Sequence, residues 1–537
     1  MNLPIVLLTL LLQVPQLEVA PPRKSSVEGV VLRAETGEPI EDAVVSLASV
    51  ASEFEVSVTT DPQGRFFFKD LDAATYRLIF ESSGYVIHEY GQRAIAGKGT
   101  PIDLASGQEL KNIVVRLTPT GSVSGRILDD NTKQPVAGMP VRLMRFSYNA
   151  EGEKTLLPSG SVRTDDRGEY RLFFITPGRY YLNAGTAPGP SSCWEFQAGP
   201  NEVREVYAGA YYPGAADLKF ASIVEVQPAA EVRGVDLALT RTQLFKVRGR
   251  IIDGTTGLPP IYSELSLTGD YFSSCGLEYK STLRNGIFEF PDVAPGAYSL
   301  AASIGPRERH AGPVPVVVVN RDIDNIVLTL SSGVSISGRV RVEGLNSLAA
   351  LTNGDYGPGV GLGGSGGYAR LNADGTFRID NVLPGEYNLY AWPKPSELAY
   401  IKEARFGPVD VLNEPLRVTA DPDSRSLDIL LSSNVGTIDG TALSPLGPAP
   451  GVQLVLVPDR ARHRLNLFKA VMADQNGRFN IPNIVPGDYK LFAWEAIEPY
   501  SWFDAEVLAR YESRARSIHV GELSRQTIEV RTMQPIP

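Results

Sequence analysis

Four groups of residues have types and spacings that chemistry could use. Gly363-Gly364-Ser365-Gly366-Gly367 spells the Gly-x-Ser-x-Gly turn that presents a serine nucleophile, and Gly359 to Gly364 spells the Gly-x-Gly-x-x-Gly loop that cradles phosphate. His519 and Glu522 stand at the spacing of two zinc ligands. Asp61, Asp165 and Asp474 each head a glycine-containing turn and offer carboxylate oxygens of the kind calcium takes. None has the context its chemistry needs. Both glycine motifs require a strand that turns into a helix, and the stretch around them only adds glycine, so a flexible loop is expected. Zinc needs a third ligand, but His88, His310, His463 and His519 are scattered along the chain. Each turn aspartate stands nearly alone and is expected to cap its own turn by accepting a backbone N–H. No catalytic residue, cofactor or metal site is assigned.

Aromatic residues give the candidate binding site. Trp392 and Trp494 each follow a tyrosine by five residues, at Tyr387 and Tyr489, and period-two alternation points them away from Tyr387-Leu389 and Tyr489-Leu491. With Trp502 they offer a stacking surface for a sugar ring. The competing expectation is packing beneath the segments that follow, Ser396 to Phe406 and Ser501 to Ser513. Val507, Leu508 and Tyr511, at helical spacing, predict a short helix near 504–514 as such a cover. Tyr211 and Tyr212 lie in a long insertion, 187–217, and loops of that size often carry function. Cys193 and Cys275 share a Ser-Ser-Cys context; one bridge between neighbouring domains and two separate thiols both remain open.

The elements that must position these residues recur. A short apolar-x-Gly opening appears at Val27-Glu28-Gly29, Val123-Ser124-Gly125, Val247-Arg248-Gly249, Ile336-Ser337-Gly338 and Ile438-Asp439-Gly440. A turn glycine follows each, at Gly64, Gly168, Gly286, Gly375 and Gly477, with an aromatic residue two positions on. Tyr76, Tyr180, Tyr298, Tyr387 and Tyr489 then stand 12 residues beyond the turn glycine in every case, four of them within Pro-Gly-x-Tyr. A fixed spacing in variable sequence means one hairpin built five times. The alternation after each turn (Phe66 and Phe68, Phe377 and Ile379, Phe479 and Ile481) makes these strands buried on one face. The repeats explain the composition: 51 glycines and 40 prolines among 537 residues, with 43% hydrophobic residues, suit a turn-rich β protein.

These motifs resemble the carboxypeptidase regulatory-like domain, a transthyretin-like sandwich. The resemblance implies an all-β chain of five tandem Ig-like, transthyretin-like antiparallel β-sandwich domains, and it implies no chemistry. The expected boundaries are 25–119, 120–241 with its insertion, 242–331, 332–433 and 434–537. The repeats are also similar to the B-type repeats of Gram-positive adhesins, which cross-link Lys to Asn; with 13 lysines among 51 basic residues, such cross-links are not expected.

Net charge is −10 without a basic stripe, which argues against nucleic acid as a partner. Two cysteines exclude a disulfide scaffold. The apolar run Leu3 to Leu12 has the size of a secretion-signal core, so residues 1–22 are expected to be a signal peptide and the mature chain not to span a membrane. The linkers are short, so a semi-rigid string of beads is expected. The function that follows is a non-catalytic exported spacer or interaction module, periplasmic, outer-membrane-associated or secreted, with a protein or polysaccharide partner at the cell envelope. The alternative is a carbohydrate-binding protein using exposed aromatics of repeats two, four and five.

Overall fold

The structure, a computed structural model, describes residues 23–536 except 96, 98, 151, 186–204, 270–281, 305–308, 345–347, 349–357, 364–365, 393–398 and 420–424. The chain is nearly all strand, with one short α-helix, Ala505–Tyr511, among the described residues. No helix there is long and apolar enough to cross a membrane.

Each apolar-x-Gly opening lies in a strand: Ser25–Arg33, Gly121–Asp129, Phe245–Asp253, Val334–Glu343 and Gly436–Ser444. Each opening strand is flanked antiparallel by the strand after the turn glycine and parallel by the strand that closes the repeat. The strand pairs are otherwise antiparallel, save that Glu231–Val232, just before the closing strand of repeat two, also pairs parallel with its opening strand; the closing strand arrives by a crossover from the other sheet and not through a hairpin. The pairing explains the recurring glycine. Gly29, Gly125, Gly249, Gly338 and Gly440 lie opposite Phe66, Tyr170, Phe288, Phe377 and Phe479. A Cβ on the glycine would stand 2.8, 3.0, 2.5, 2.5 or 2.5 Å from an atom of that aromatic side chain, and on the other side it would press on a backbone carbonyl of the closing segment. The ring crosses the strand where a side chain would be, so only glycine fits.

The turn is built as its sequence predicts. Asp61, Asp165 and Asp474 each accept two backbone N–H groups through Oδ1, at 2.7–2.9 Å, and the turn glycines have φ of 70–82°. An oxygen engaged in that way caps the hairpin. Repeat three has Leu283 in place of the aspartate and solves the turn differently: Asn285 and Gly286 both take positive φ, 51° and 75°, the requirement of a tight type I′ hairpin. The repeat tyrosines share a further role. Each hydroxyl donates to the carbonyl four residues upstream, Tyr76 to Asp72, Tyr180 to Thr176, Tyr298 to Ala294, Tyr387 to Leu383 and Tyr489 to Val485, at 2.5–3.0 Å. The ring is buried in the core and its hydroxyl pins the reversal that precedes the strand.

A second sheet pairs the tyrosine strand with the one that follows the opening, for instance Val44–Ser49 with Ala74–Glu81 and Gln453–Pro458 with Gly487–Trp494. The cores between sheets are apolar and draw on alternate residues of their strands, as with Ile438, Phe479, Ile481, Tyr489 and Leu491 in repeat five. The glycine-rich stretch of repeat four is not a loop throughout. Gly359–Leu362 and Gly367–Arg370 pair as a hairpin, and Gly359–Leu362 is buried against Leu389–Trp392. Gly361 sits beneath the ring of Tyr390, so the glycines permit close strand approach there.

By contacts the chain divides into two compact units: one of residues up to Ser82 with Pro101–Leu117, the other of Ser83–Thr100 with Thr118–Pro537. Within the second unit the repeats do not run as a straight string. The Tyr148 hydroxyl of repeat two donates to Asp504 of repeat five at 2.7 Å, across 356 positions of sequence. Short linkers set how far neighbours can move, but not whether distant repeats find complementary surfaces.

Candidate ligand cleft

The predicted aromatic platform is not where the structure places open surface. Trp494 is 0% and Trp502 5% exposed. Trp494 stacks on Phe492 at 4.8 Å and meets Tyr511 edge-on at 5.6 Å. Leu508 and Tyr511 of the helix Ala505–Tyr511, with the turn Ser501–Phe503, close over both tryptophans and form a second core on the outer face of the sheet. The sequence contained the reason: the helical spacing of Val507, Leu508 and Tyr511 supplies a cover, and a covered indole cannot receive a sugar. Tyr211 is 4% exposed, packed with Met144 and Leu156, and Tyr212 is half-buried against the core of repeat two. The backbone of Trp392 pairs with Gly359 at a strand end. Cys193 and Cys275 lie outside the described residues.

The residues of the other motifs are dispersed. His519 faces Asp488 through Nδ1 at 2.8 Å, while Glu522 accepts from Lys402 and Asn434. Ser365 lies outside the described residues. Among the described residues no group of three or more His, Cys, Asp or Glu is placed to hold a metal ion.

A cleft of about 560 Å³ opens instead between repeat two, repeat five and the segment around Ala94. That volume suits a small ligand or a few units of a chain. Repeat two supplies most of the wall from three adjacent strands, Pro140–Tyr148, Lys154–Arg163 and Gly178–Ala184, which carry Arg145 and Phe146, Lys154, and Arg179 and Tyr181. Phe146 and Tyr181 meet edge to face at 5.8 Å and 85°, and the Lys154 ammonium stands 5.2 Å from the Phe146 ring centre. Repeat five supplies Glu498 and Pro499. Partial burial raises the Glu498 carboxyl above the usual carboxylate range, opposed by the positive charges of Arg145 and Lys154 and by a hydrogen bond with Ser147.

The contact of repeat two with repeat five makes the cleft. Gly152, in the turn between Pro140–Tyr148 and Lys154–Arg163 and at φ 76°, lies so close to Phe503 that a Cβ would meet its side chain. The hydrogen bond from Tyr148, foremost, holds the Asp504 carboxyl below its ordinary range, and Asp504 also caps the helix by accepting from Glu506 N. Arg93 donates to the Pro450 carbonyl at 2.9 Å, which ties the segment around Ala94 to repeat five. Repeats four and five share a polar clamp: Lys402 and Asn434 both donate to Glu343 and to Glu522, at 2.8–3.1 Å. Sequence reasoning missed the cleft, since nothing local links Arg145, Lys154, Arg179 and Glu498.

The fold and its pairing pattern define an all-β chain of repeated β-sandwich topology. Residues 26–118 match the family model of the carboxypeptidase regulatory-like domain. Among solved structures, the Bacillus anthracis TIE protein is similar at 15% identity over 57% of this chain and 51% of its own, with a TM-score of 0.17. A minor pilin of Streptococcus agalactiae is similar at 16% identity over 41% of this chain and 96% of its own, TM-score 0.23. A streptococcal ancillary pilin gives 17%, 41%, 62% and 0.22. The chain thus aligns with about half the length of the TIE protein, and superposition at this level does not establish common function. No curated protein matches the chain in sequence.

Proposed function

We propose that the chain is a non-catalytic exported scaffold of five sandwich domains, which spaces or presents a partner at the cell envelope, in the periplasm, at the outer membrane or outside the cell. The observation that carries this reading is the docking of repeat two on repeat five through Tyr148 and Asp504. Independent beads gain nothing from a contact between second and fifth members, whereas a scaffold that holds a binding surface in shape does. The clamp of Lys402 and Asn434 on Glu343 and Glu522 supports the same reading at the junction of repeats four and five. A sugar platform of Trp494, Trp502 and Tyr211 is set aside, because all three are buried.

Limited proteolysis of the full chain tests the scaffold. The hairpin tip around residues 149–153 is expected to resist cleavage in the native chain and to be cut readily in Tyr148→Phe, which removes the hydroxyl that reaches Asp504 and leaves the helix cap of Asp504 in place. Equal cleavage in both would overturn the docked scaffold. Export is tested separately by fusing residues 1–22 to a reporter active only outside the cytoplasm; an inactive reporter would remove that part of the proposal.

A further inference from the structure

We propose that the cleft between repeats two and five binds the carboxylate-bearing sugar units of an acidic polysaccharide, uronate residues above all. The inference rests on the scaffold reading, since that docking builds the cleft, and it names the chemistry of the partner.

Charge is the first argument. Arg145, Lys154 and Arg179 line the cleft with one carboxylate, Glu498, which leaves two positive charges in excess among its lining residues in a chain whose net charge is −10. A local reversal of sign of that size selects an anion. Two of the cations are guanidinium groups, whose planar fork matches a carboxylate in two parallel hydrogen bonds. The aromatic pair is the second argument. Phe146 and Tyr181 are half-buried on the cleft wall, and an aromatic surface receives the C–H face of a pyranose ring. Glu498 is the third. An ionised carboxylate is acceptor-only, so it serves a ligand that brings its own O–H donors. Each feature alone fits several ligands, but the set is selective. Inorganic phosphate has no ring to place on the aromatics, and an acidic peptide brings carboxylates and amide N–H donors but no apolar ring face for Phe146 and Tyr181. A uronate carries carboxylate, hydroxyls and an apolar ring face in one unit.

Titration calorimetry of the full chain with trigalacturonate tests the proposal. Comparison ligands are the methyl-esterified trimer, inorganic phosphate and triglutamate. Trigalacturonate is expected to bind, the ester to lose binding, and phosphate and triglutamate to bind far more weakly. Arg179→Gln and Lys154→Gln, at exposed side chains, should each weaken trigalacturonate about tenfold or more with the thermal unfolding midpoint unchanged. Failure of trigalacturonate to bind, equal binding of the ester, equal binding of phosphate or triglutamate, or full affinity in both variants would each overturn the assignment. If binding fails while the tip at 149–153 stays protected from protease, the ligand proposal falls and the scaffold stands.

Discussion

Replacing Gly440 by alanine isolates the device on which every repeat is built. The new Cβ would lie 2.5 Å from Cζ of Phe479 and closer still to the Ile528 carbonyl oxygen, with the glycine in ordinary strand conformation. The strain is therefore steric. The ring could tilt away, but the carbonyl belongs to the parallel closing strand and can move only if that pairing shifts. Overpacking of a well-filled interior costs about 1–3 kcal/mol, and a backbone clash puts this site at the upper end. For a domain of about 100 residues that is a fall of roughly 10 °C or more in unfolding midpoint. Trp494 and Trp502, both buried in repeat five, report that unfolding by their fluorescence. Gly521→Ala is the control, since a Cβ there meets only Ser524 at 3.9 Å and the midpoint should hold. A Gly440→Ala midpoint equal to that of Gly521→Ala would refute the argument that the motif exists to let the ring cross the strand.

Tyr489→Phe keeps the ring in the core but leaves the Val485 carbonyl without its 2.7 Å partner; we expect a loss of about 1–2 kcal/mol by the same fluorescence melt, and a loss near zero would show that the hydroxyl does not pin the turn. Phe174 has φ of 57° at a position where repeats one, four and five place Asp70, Asn381 and Asn483, also at positive φ, and its side chain is exposed. Phe174→Asn should stabilise by about 0.5–1 kcal/mol, measured by denaturant unfolding, because Asn tolerates that conformation better. The depressed pKa of Asp504 sets a pH dependence whose sign is fixed. A carboxylate lowered in the fold contributes stability that is fully present above its unfolded value, about 3.9, and is lost as pH falls through the folded value. Protection of the 149–153 tip should therefore not fall between about pH 8 and 5, where the raised Glu498 carboxyl acts in the opposite sense, and should decline below about pH 4; a decline already at about pH 6 would assign the contact to another group.

Much of this architecture was legible because it is local. Asp61 and Gly64, or Asp474 and Gly477, state a hairpin within four residues, and the distance from turn glycine to tyrosine counts the strand between. The recurrence of that tyrosine was legible, but the bond its hydroxyl makes to the carbonyl four residues upstream was not, because it depends on the geometry of the reversal. The glycine of the opening motif was visible but its reason was not, because Phe479 and Ile528 reach Gly440 only through sheet pairing. Gly359 and Gly361 misled for the same reason: glycine is the residue of turns until a partner such as Tyr390, over Gly361, requires close approach. Trp494 and Trp502 were readable in either direction, and the helical spacing of Leu508 and Tyr511 held the answer. The cleft was beyond local reading altogether, since it depends on one repeat finding another 356 positions away.

The docking of repeat two on repeat five carries both the scaffold and its cleft, and it can be measured as a distance. Spin labels at exposed Glu153 and Arg510, in a chain with Cys193→Ser and Cys275→Ser, place one probe beside the hairpin tip and one on the helix Ala505–Tyr511. Pulsed electron resonance should give a single narrow distance distribution that Tyr148→Phe, which leaves the helix cap of Asp504 in place, broadens. A broad distribution already in the native background, unchanged by Tyr148→Phe, would contradict the account.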